Sequence, residues 1–206
     1  GLDYRGMPVA TAQAMDIPAA ATPLINYQVV AEHNWALILN HFKRMPLHRV
    51  KMQERAYVKE GWGFLPSLKI SVMSDLKLGL VGFGEIARPM ADYARAFKME
   101  TLYWDIKRFP DLEDDYEIAF AEWETLWRES DIISIQIPIM PETHKIVGAK
   151  EFALMKPNTL FVNTARGKLV DEEALIHVLQ ARKIGGAALD VFYDEPLAED
   201  SPLHNL

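Results

Sequence analysis

From residue 76 onward the chain alternates between two kinds of segment. LKLGLVG (76–82), ETLYWD (100–105), DIISIQIP (131–138), NTLFVNT (158–164) and GGAALDVF (185–192) are short, mostly apolar runs that predict strands. Between them, 85–98, the acidic, Trp-bearing 121–128, 150–155 (stopped at Pro157) and 171–183 carry apolar residues at helical spacing. Strands with almost no polar interruption, separated by helices, imply a parallel sheet buried on both faces. Right-handed crossovers then give an α/β, doubly wound parallel sheet with helices on both faces, whose ligands bind at the C-terminal ends of the strands.

The first third follows no such rhythm. Residues 17–22 (IPAAAT) predict a short strand ending at Pro23, and 27–43 a largely buried helix, because Val29, Val30, Trp35, Leu37, Ile38 and Phe42 spread widely around its axis. Pro46 is expected to end it. Residues 41–60 hold six Lys/Arg and two Asp/Glu, a local +4, and 111–131 hold nine acids and one Arg, a local −8. Both read as solvated surface or as complementary faces in an assembly.

Composition narrows the function classes. The 206 residues are half apolar, with 22 Lys+Arg against 29 Asp+Glu, so the formal net charge is 22 − 29 = −7. An acidic chain argues against nonspecific nucleic-acid binding. The absence of cysteine excludes disulfides, Cys-based zinc sites and a thiol nucleophile, and suits a cytoplasmic protein. No apolar run is long enough for a membrane helix. No His pair has metal-ligand spacing, so no metal is expected.

The first strand of the regular array runs into Gly82-Phe83-Gly84-Glu85-Ile86-Ala87, a G-x-G-x-x-A turn opening a helix. The first Gly permits the tight turn, the second lets backbone approach a pyrophosphate, and the small third residue allows helix and strand to pack closely. The helix start offers free N–H groups to the phosphates. The next strand ends in Asp105, 18 residues beyond Ala87, near the spacing for a carboxylate on the adenosine ribose. Such a carboxylate accepts from the 2′-OH and repels a 2′-phosphate, which favours NAD over NADP. Glu85 beside the phosphates and Pro89 one turn into the helix fit less well. A glycine turn and strand-end Asp with no ligand is the alternative.

With the second half in view, the sequence resembles the D-isomer-specific 2-hydroxyacid dehydrogenases. The matching stretches are GLDYRG (1–6), IPAAATPLINYQVVAEH (17–33), the glycine turn through Asp105, SDIISIQIPIMPETHKIV (130–147), KPNTLFVNTARGKLVDEEAL (156–175) and GAALDVFYDEP (186–196). The resemblance implies a Rossmann-like NAD-binding domain over 1–206, with 1–25 near the junction to a substrate-binding domain and 196–206 beginning the return to it. It implies a cofactor site of Gly82, Gly84, Glu85, Ile86, Ala87, Asp105, Ile137, Pro138, Thr164, Ala165 and Asp190. Thr164 and Ala165 line the nicotinamide with backbone, and Asp190 holds its carboxamide. Arg166 is then the catalytic arginine that grips the substrate carboxylate and polarises C2. Glu195, 29 residues on, is the carboxylate that orients a catalytic His and raises its pKa.

The His motif that follows the Glu in the family is not found before Leu206, and none of His33, His41, His48, His144, His177 and His204 replaces it by motif. The expectation is therefore a cofactor lobe lacking both flanks of the substrate lobe, weak or inactive in turnover. Its parent would transfer hydride between nicotinamide and a small 2-hydroxy or 2-oxo acid. An NAD(H)-sensing, corepressor-like interaction module is the second reading. The family's habit implies a homodimer, with Trp35, Phe42 and the basic stretch 43–59 at its interface or packed under a missing lobe.

Overall fold

The computed structural model describes residues 9–18, 26–60 and 70–206. Its centre is a six-stranded, all-parallel sheet in the order β3-β2-β1-β4-β5-β6. The strands are β1 (Lys77–Val81), β2 (Glu100–Trp104), β3 (Ala119–Phe120), β4 (Ile132–Ile135), β5 (Leu160–Asn163) and β6 (Gly186–Leu189). The helices are α1 (Val9–Ala14), α2 (Tyr27–Phe42), α3 (Met45–Gln53), α4 (Ala56–Glu60), α5 (Ala87–Ala96), α6 (Pro110–Tyr116), α7 (Trp123–Glu129), α8 (Ala149–Leu154) and α9 (Glu172–Gln180). The five expected strands and the helices between them are present, most of them trimmed at their ends, while α7 and α8 are shifted by one or two residues and β3 and α6 were not expected.

Alternation along the strands divides two cores. Leu78, Leu80, Tyr103, Ile132, Leu160 and Val162 face α2 and α5. Val81, Leu102, Ile133, Ile135 and Phe161 face the opposite layer, packed with Leu126 and Trp127 of α7, Phe152 of α8 and Leu175 of α9. Burying each large aliphatic side chain contributes about 1.5–3 kcal/mol, so a doubly covered sheet tolerates few polar residues in its strands. Gly79 is small for a reason of contact: a Cβ there would overlap the Ser130 side chain at the end of α7.

Four expectations need correction. Ile17 and Pro18 are irregular rather than strand, and 19–22 lie outside the described residues, as does GLDYRG (1–6). Helix α2 is buried on one face only, through Ala31, Asn34, Trp35, Ile38 and Phe42, while Val29 is 65% exposed. The helix stops at Phe42, where Arg44 turns left-handed (φ 54°), and Pro46 instead opens α3 in its first turn, where a missing N–H costs nothing. Trp35 and Phe42 are not interface groups. They are 4% and 6% exposed in this chain's own core, where Trp35 donates to the Met90 carbonyl and stacks on Phe97.

Candidate cofactor and active site

The strand order reverses between β1 and β4, and the loops leaving those two strands meet there. Gly82 has φ +95°, and its N–H donates to the Trp104 carbonyl at 2.7 Å. A Cβ on it would stand 2.7 Å from Ile137 Cγ2 and 2.8 Å from the Gln136 carbonyl oxygen. Both backbone angle and neighbours therefore require glycine. A Cβ on Gly84 would meet nothing within 4 Å, so here the missing side chain leaves open space above the turn. Ala87, wholly buried, starts α5 against the sheet, and Ile86 is half-buried behind it. Glu85 is exposed, and Pro89 is only the third residue of α5, in the first turn, where a missing N–H is tolerated.

Asp105 reaches back across this turn. Its Oδ2 accepts from the Phe83 N–H at 2.8 Å, which fixes the carboxylate beside the glycine loop. Its Oδ1 has only a long contact, 3.4 Å, from the Lys107 N–H. The next-door wall is aromatic: Phe83 lies 4.8 Å from Tyr103, whose hydroxyl donates to Glu113 at 2.8 Å.

At the other side of the reversal, the β5 and β6 loops are locked together. Asn163 donates from Nδ2 to the Arg166 carbonyl and accepts at Oδ1 from the Ala165 N–H, both at 3.0 Å, so one side chain staples the whole Thr164–Arg166 turn. The Asp190 N–H donates to the Asn163 carbonyl at 3.1 Å. A Cβ on Gly167 would overlap the Phe192 carbonyl. That backbone contact holds the loop bearing Arg166 against the loop that leads to Glu195. The Glu195 carboxylate turns back to accept from the Phe192 N–H at 3.1 Å, and the Tyr193 N–H donates to Glu172 at 3.1 Å. Arg166, Asp190, Glu195 and Pro138 are exposed, and Ile137 and Ala165 half-buried. Gly82, Asp105 and Ile137 thus form one cluster, and Thr164, Ala165, Arg166, Asp190 and Glu195 form a second on the neighbouring loops.

Helix α2 supplies residues that the sequence reading did not single out. Asn34, 0% exposed, donates to Thr164 Oγ1 at 2.8 Å and accepts from Ser134 Oγ at 3.1 Å and Gln136 Nε2 at 3.3 Å. His33, on the helix expected to be largely buried, is half-exposed, with Nε2 3.5 Å from Asp190 Oδ1. The available signal was polarity out of place: Asn34 on an apolar helix face, and Ser134 and Gln136 in an apolar strand.

The residues present fit a dinucleotide. The turn leaves space at Gly84, an acid closes the adjoining strand, and two buried polar atoms at this edge, Arg88 Nε and Gln136 Oε1, have no hydrogen-bond partner. Fold and site together define a Rossmann-like dinucleotide-binding domain.

Comparison with known proteins specifies it. The family described as D-isomer specific 2-hydroxyacid dehydrogenase, NAD binding domain, matches residues 35–206, and the chain belongs to that family. It is 34% identical over 194 residues to a glyoxylate reductase of Thermococcus litoralis, covering 94% of this chain and 59% of that protein. It is 35% identical over 205 residues to glyoxylate/hydroxypyruvate reductase B of Klebsiella pneumoniae, covering 98% and 62%. The structure of D-lactate dehydrogenase from Aquifex aeolicus, complexed with NAD and lactic acid, superposes with a TM-score of 0.82 at 30% identity over 94% of this chain and 56% of that one. The chain therefore spans about three fifths of the length of these relatives. Its cofactor class is NAD.

Proposed function

We propose that this chain is the cofactor domain of an NAD-dependent oxidoreductase acting on a small D-2-hydroxy acid or its 2-oxo acid. The observation that carries the proposal is the contact of Gly167 with Phe192, which brings the Arg166 and Glu195 loops together past β5 and β6, with β4 between them and the glycine turn that follows β1. The Gly82–Ala87 turn cradles the pyrophosphate with backbone N–H groups and the start of α5. Oδ1 of Asp105, held only by its long contact with the Lys107 N–H, accepts from the adenosine ribose, and the carboxylate's charge disfavours a 2′-phosphate. Ile137 and Pro138 cover the cofactor from the β4 loop. Thr164 and Ala165 line its reactive ring, and Asp190 accepts from its carboxamide.

When bound, NAD supplies the hydride acceptor or donor. The protein's part is positioning and charge. Arg166 presents a planar, permanently charged fork that matches a 2-oxo carboxylate and stabilises negative charge growing on the C2 oxygen. Glu195 orients the group that exchanges the hydroxyl proton. Among the described residues, no histidine contact with Glu195 is seen, and its near oxygen is engaged by the Phe192 N–H. The 206-residue chain is accordingly proposed to bind NAD and to turn over weakly, since a positioned general acid/base contributes about 10²–10⁴ in rate.

Calorimetric titration with NAD, alongside an NADH absorbance assay with glyoxylate, hydroxypyruvate and pyruvate, tests both statements. Saturable NAD binding with little turnover is expected. No binding would overturn the cofactor reading, and robust turnover would overturn the weak-activity reading. The partner proposed for this domain is a second copy of itself. Val29 of α2, Val50 and Met52 of α3 and Val58 of α4 are all exposed apolar residues on neighbouring helices, a surface suited to self-association.

A further inference from the structure

Two consecutive residues of α2 reach three successive strand ends. Asn34 touches Gln136 beyond β4 and Thr164 beyond β5, while His33 stands against Asp190 beyond β6. Ser134, Gln136 and Thr164 lie on the α2 face of the sheet, because alternation puts them with Ile132 and Val162. The register pairs Ile135 with Asn163, so Gln136 and Thr164 are neighbours one step past the paired strands.

The hydrogen-bond bookkeeping of Asn34 is complete. Its two donors go to the Val30 carbonyl and Thr164 Oγ1, both at 2.8 Å, and its carbonyl accepts from Ser134 and Gln136. An amide with all four positions used and no exposure has one orientation. It therefore fixes the Thr164 hydroxyl as an acceptor on the α2 side, which leaves that hydroxyl's own proton to donate elsewhere. Among the described residues nothing accepts it. Beside it, Gln136 Nε2 is spent on Asn34 and Ser134 (2.9 Å), while Gln136 Oε1 is buried and unpartnered. A buried acceptor without a donor forfeits its hydration for nothing, which marks these strand ends as built for a polar group not supplied by the chain. His33 meanwhile engages Oδ1 of Asp190 and leaves Oδ2 available.

We propose that His33 and Asn34 are positioning residues for the nicotinamide half of the cofactor: α2 holds Thr164 and Asp190 in the orientation that recognises it. The proposal rests on the reading of Thr164 and Asp190 given above. It assigns to α2 a role in ligand selectivity rather than in core packing alone. The hydrogen bonds of Asn34 and the ion pair of His33 reach neither the turn at 82–87 nor Asp105, the groups assigned above to the adenosine half.

The test compares NAD with ADP-ribose, which lacks the nicotinamide, by calorimetry on the 206-residue chain. His33→Ala and Asn34→Leu should weaken NAD by about 3- to 10-fold, the scale of one lost hydrogen bond, and change ADP-ribose less than about 2-fold. His33→Gln, which keeps a donor near Asp190, should restore most of the loss. A purely structural role would weaken both ligands alike. Asp190→Ala separates the two levels of the argument. If it shifts the NAD to ADP-ribose ratio while the α2 variants do not, the positioning role is refuted and the Asp190 reading stands. If it leaves the ratio unchanged, the nicotinamide-end reading fails and the positioning role with it. Should Asn34→Leu melt early, the half-exposed His33→Ala decides.

Discussion

At the scale of single residues, the two glycines of the turn have opposite reasons to be small. At Gly82 a side chain must adopt a left-handed angle and enter occupied space, whereas at Gly84 it would project into open space, which the proposed function gives to the cofactor. Gly82→Ala should therefore lower stability by about 2–4 kcal/mol, combining the angular cost with overpacking, as read from urea unfolding. Gly84→Ala should leave the unfolding midpoint nearly unchanged and weaken NAD binding at least about tenfold. Equal behaviour of the two would show that the turn is structural only. Asp105 is legible in sequence as a carboxylate closing a strand, but its bond to the Phe83 N–H is not. Because one oxygen is already engaged, Asp105→Asn should lose preference for NAD over NADP through removal of charge, seen as convergence of the two dissociation constants, with a modest loss of loop stability.

At the scale of elements, α2 is where sequence reasoning went furthest astray. Apolar residues around much of its circumference suggested all-round burial, yet Val29 and Tyr27 face outward while a polar Asn34 lies innermost. Periodicity weighs hydrophobicity and has no term for a buried amide whose partners come from strands 100 and 130 residues away. His41 of the same helix packs over β6, where a Cβ on Gly186 would stand 3.3 Å from its ring. Burial, and then the Arg44 charge, push its pKa below 6.5. A base with a folded pKa below its unfolded value takes up protons more readily when unfolded. Stability should therefore fall as pH drops below about 6.5 until the lower folded value is passed. His41→Phe should remove that slope from thermal melts recorded across this range, and an unchanged slope would place its origin in other groups.

At the scale of the whole molecule, the parallel sheet converts sequence order into a site. Gly82, Asp105, Ile137, Thr164 and Asp190 each lie just past the C-terminal end of a strand, so one end of the sheet collects them, with Glu195 farther along the loop after β6. Ligand that binds only the folded state adds RT ln(1 + [L]/Kd), so NAD at 100 times its dissociation constant should add about 2.7 kcal/mol and raise the melting temperature accordingly. ADP-ribose should reproduce most of the shift. Sedimentation at tens of micromolar should show a dimer, and Val50→Glu with Val58→Glu should return it to monomer without lowering NAD affinity. A monomeric wild type would remove the self-association proposal and leave the cofactor site untouched.

Arg166 and Glu195 stood out only through the family resemblance, but the order of strands and helices, the glycine turn and the acid at 105 were readable along the chain. Each depends on local spacing: near-continuous apolar runs for a sheet covered twice, glycine where backbone must turn or be approached, and a residue's offset from a strand end. The grip of α2 on three loops, the packing of Gly167 against the Phe192 carbonyl, the turn of Asp105 toward Phe83 and the burial of Trp35 and Phe42 were decided only in three dimensions. These are contacts between segments far apart in sequence, and hydrogen-bond saturation and close packing are properties of such neighbours rather than of any one stretch of chain.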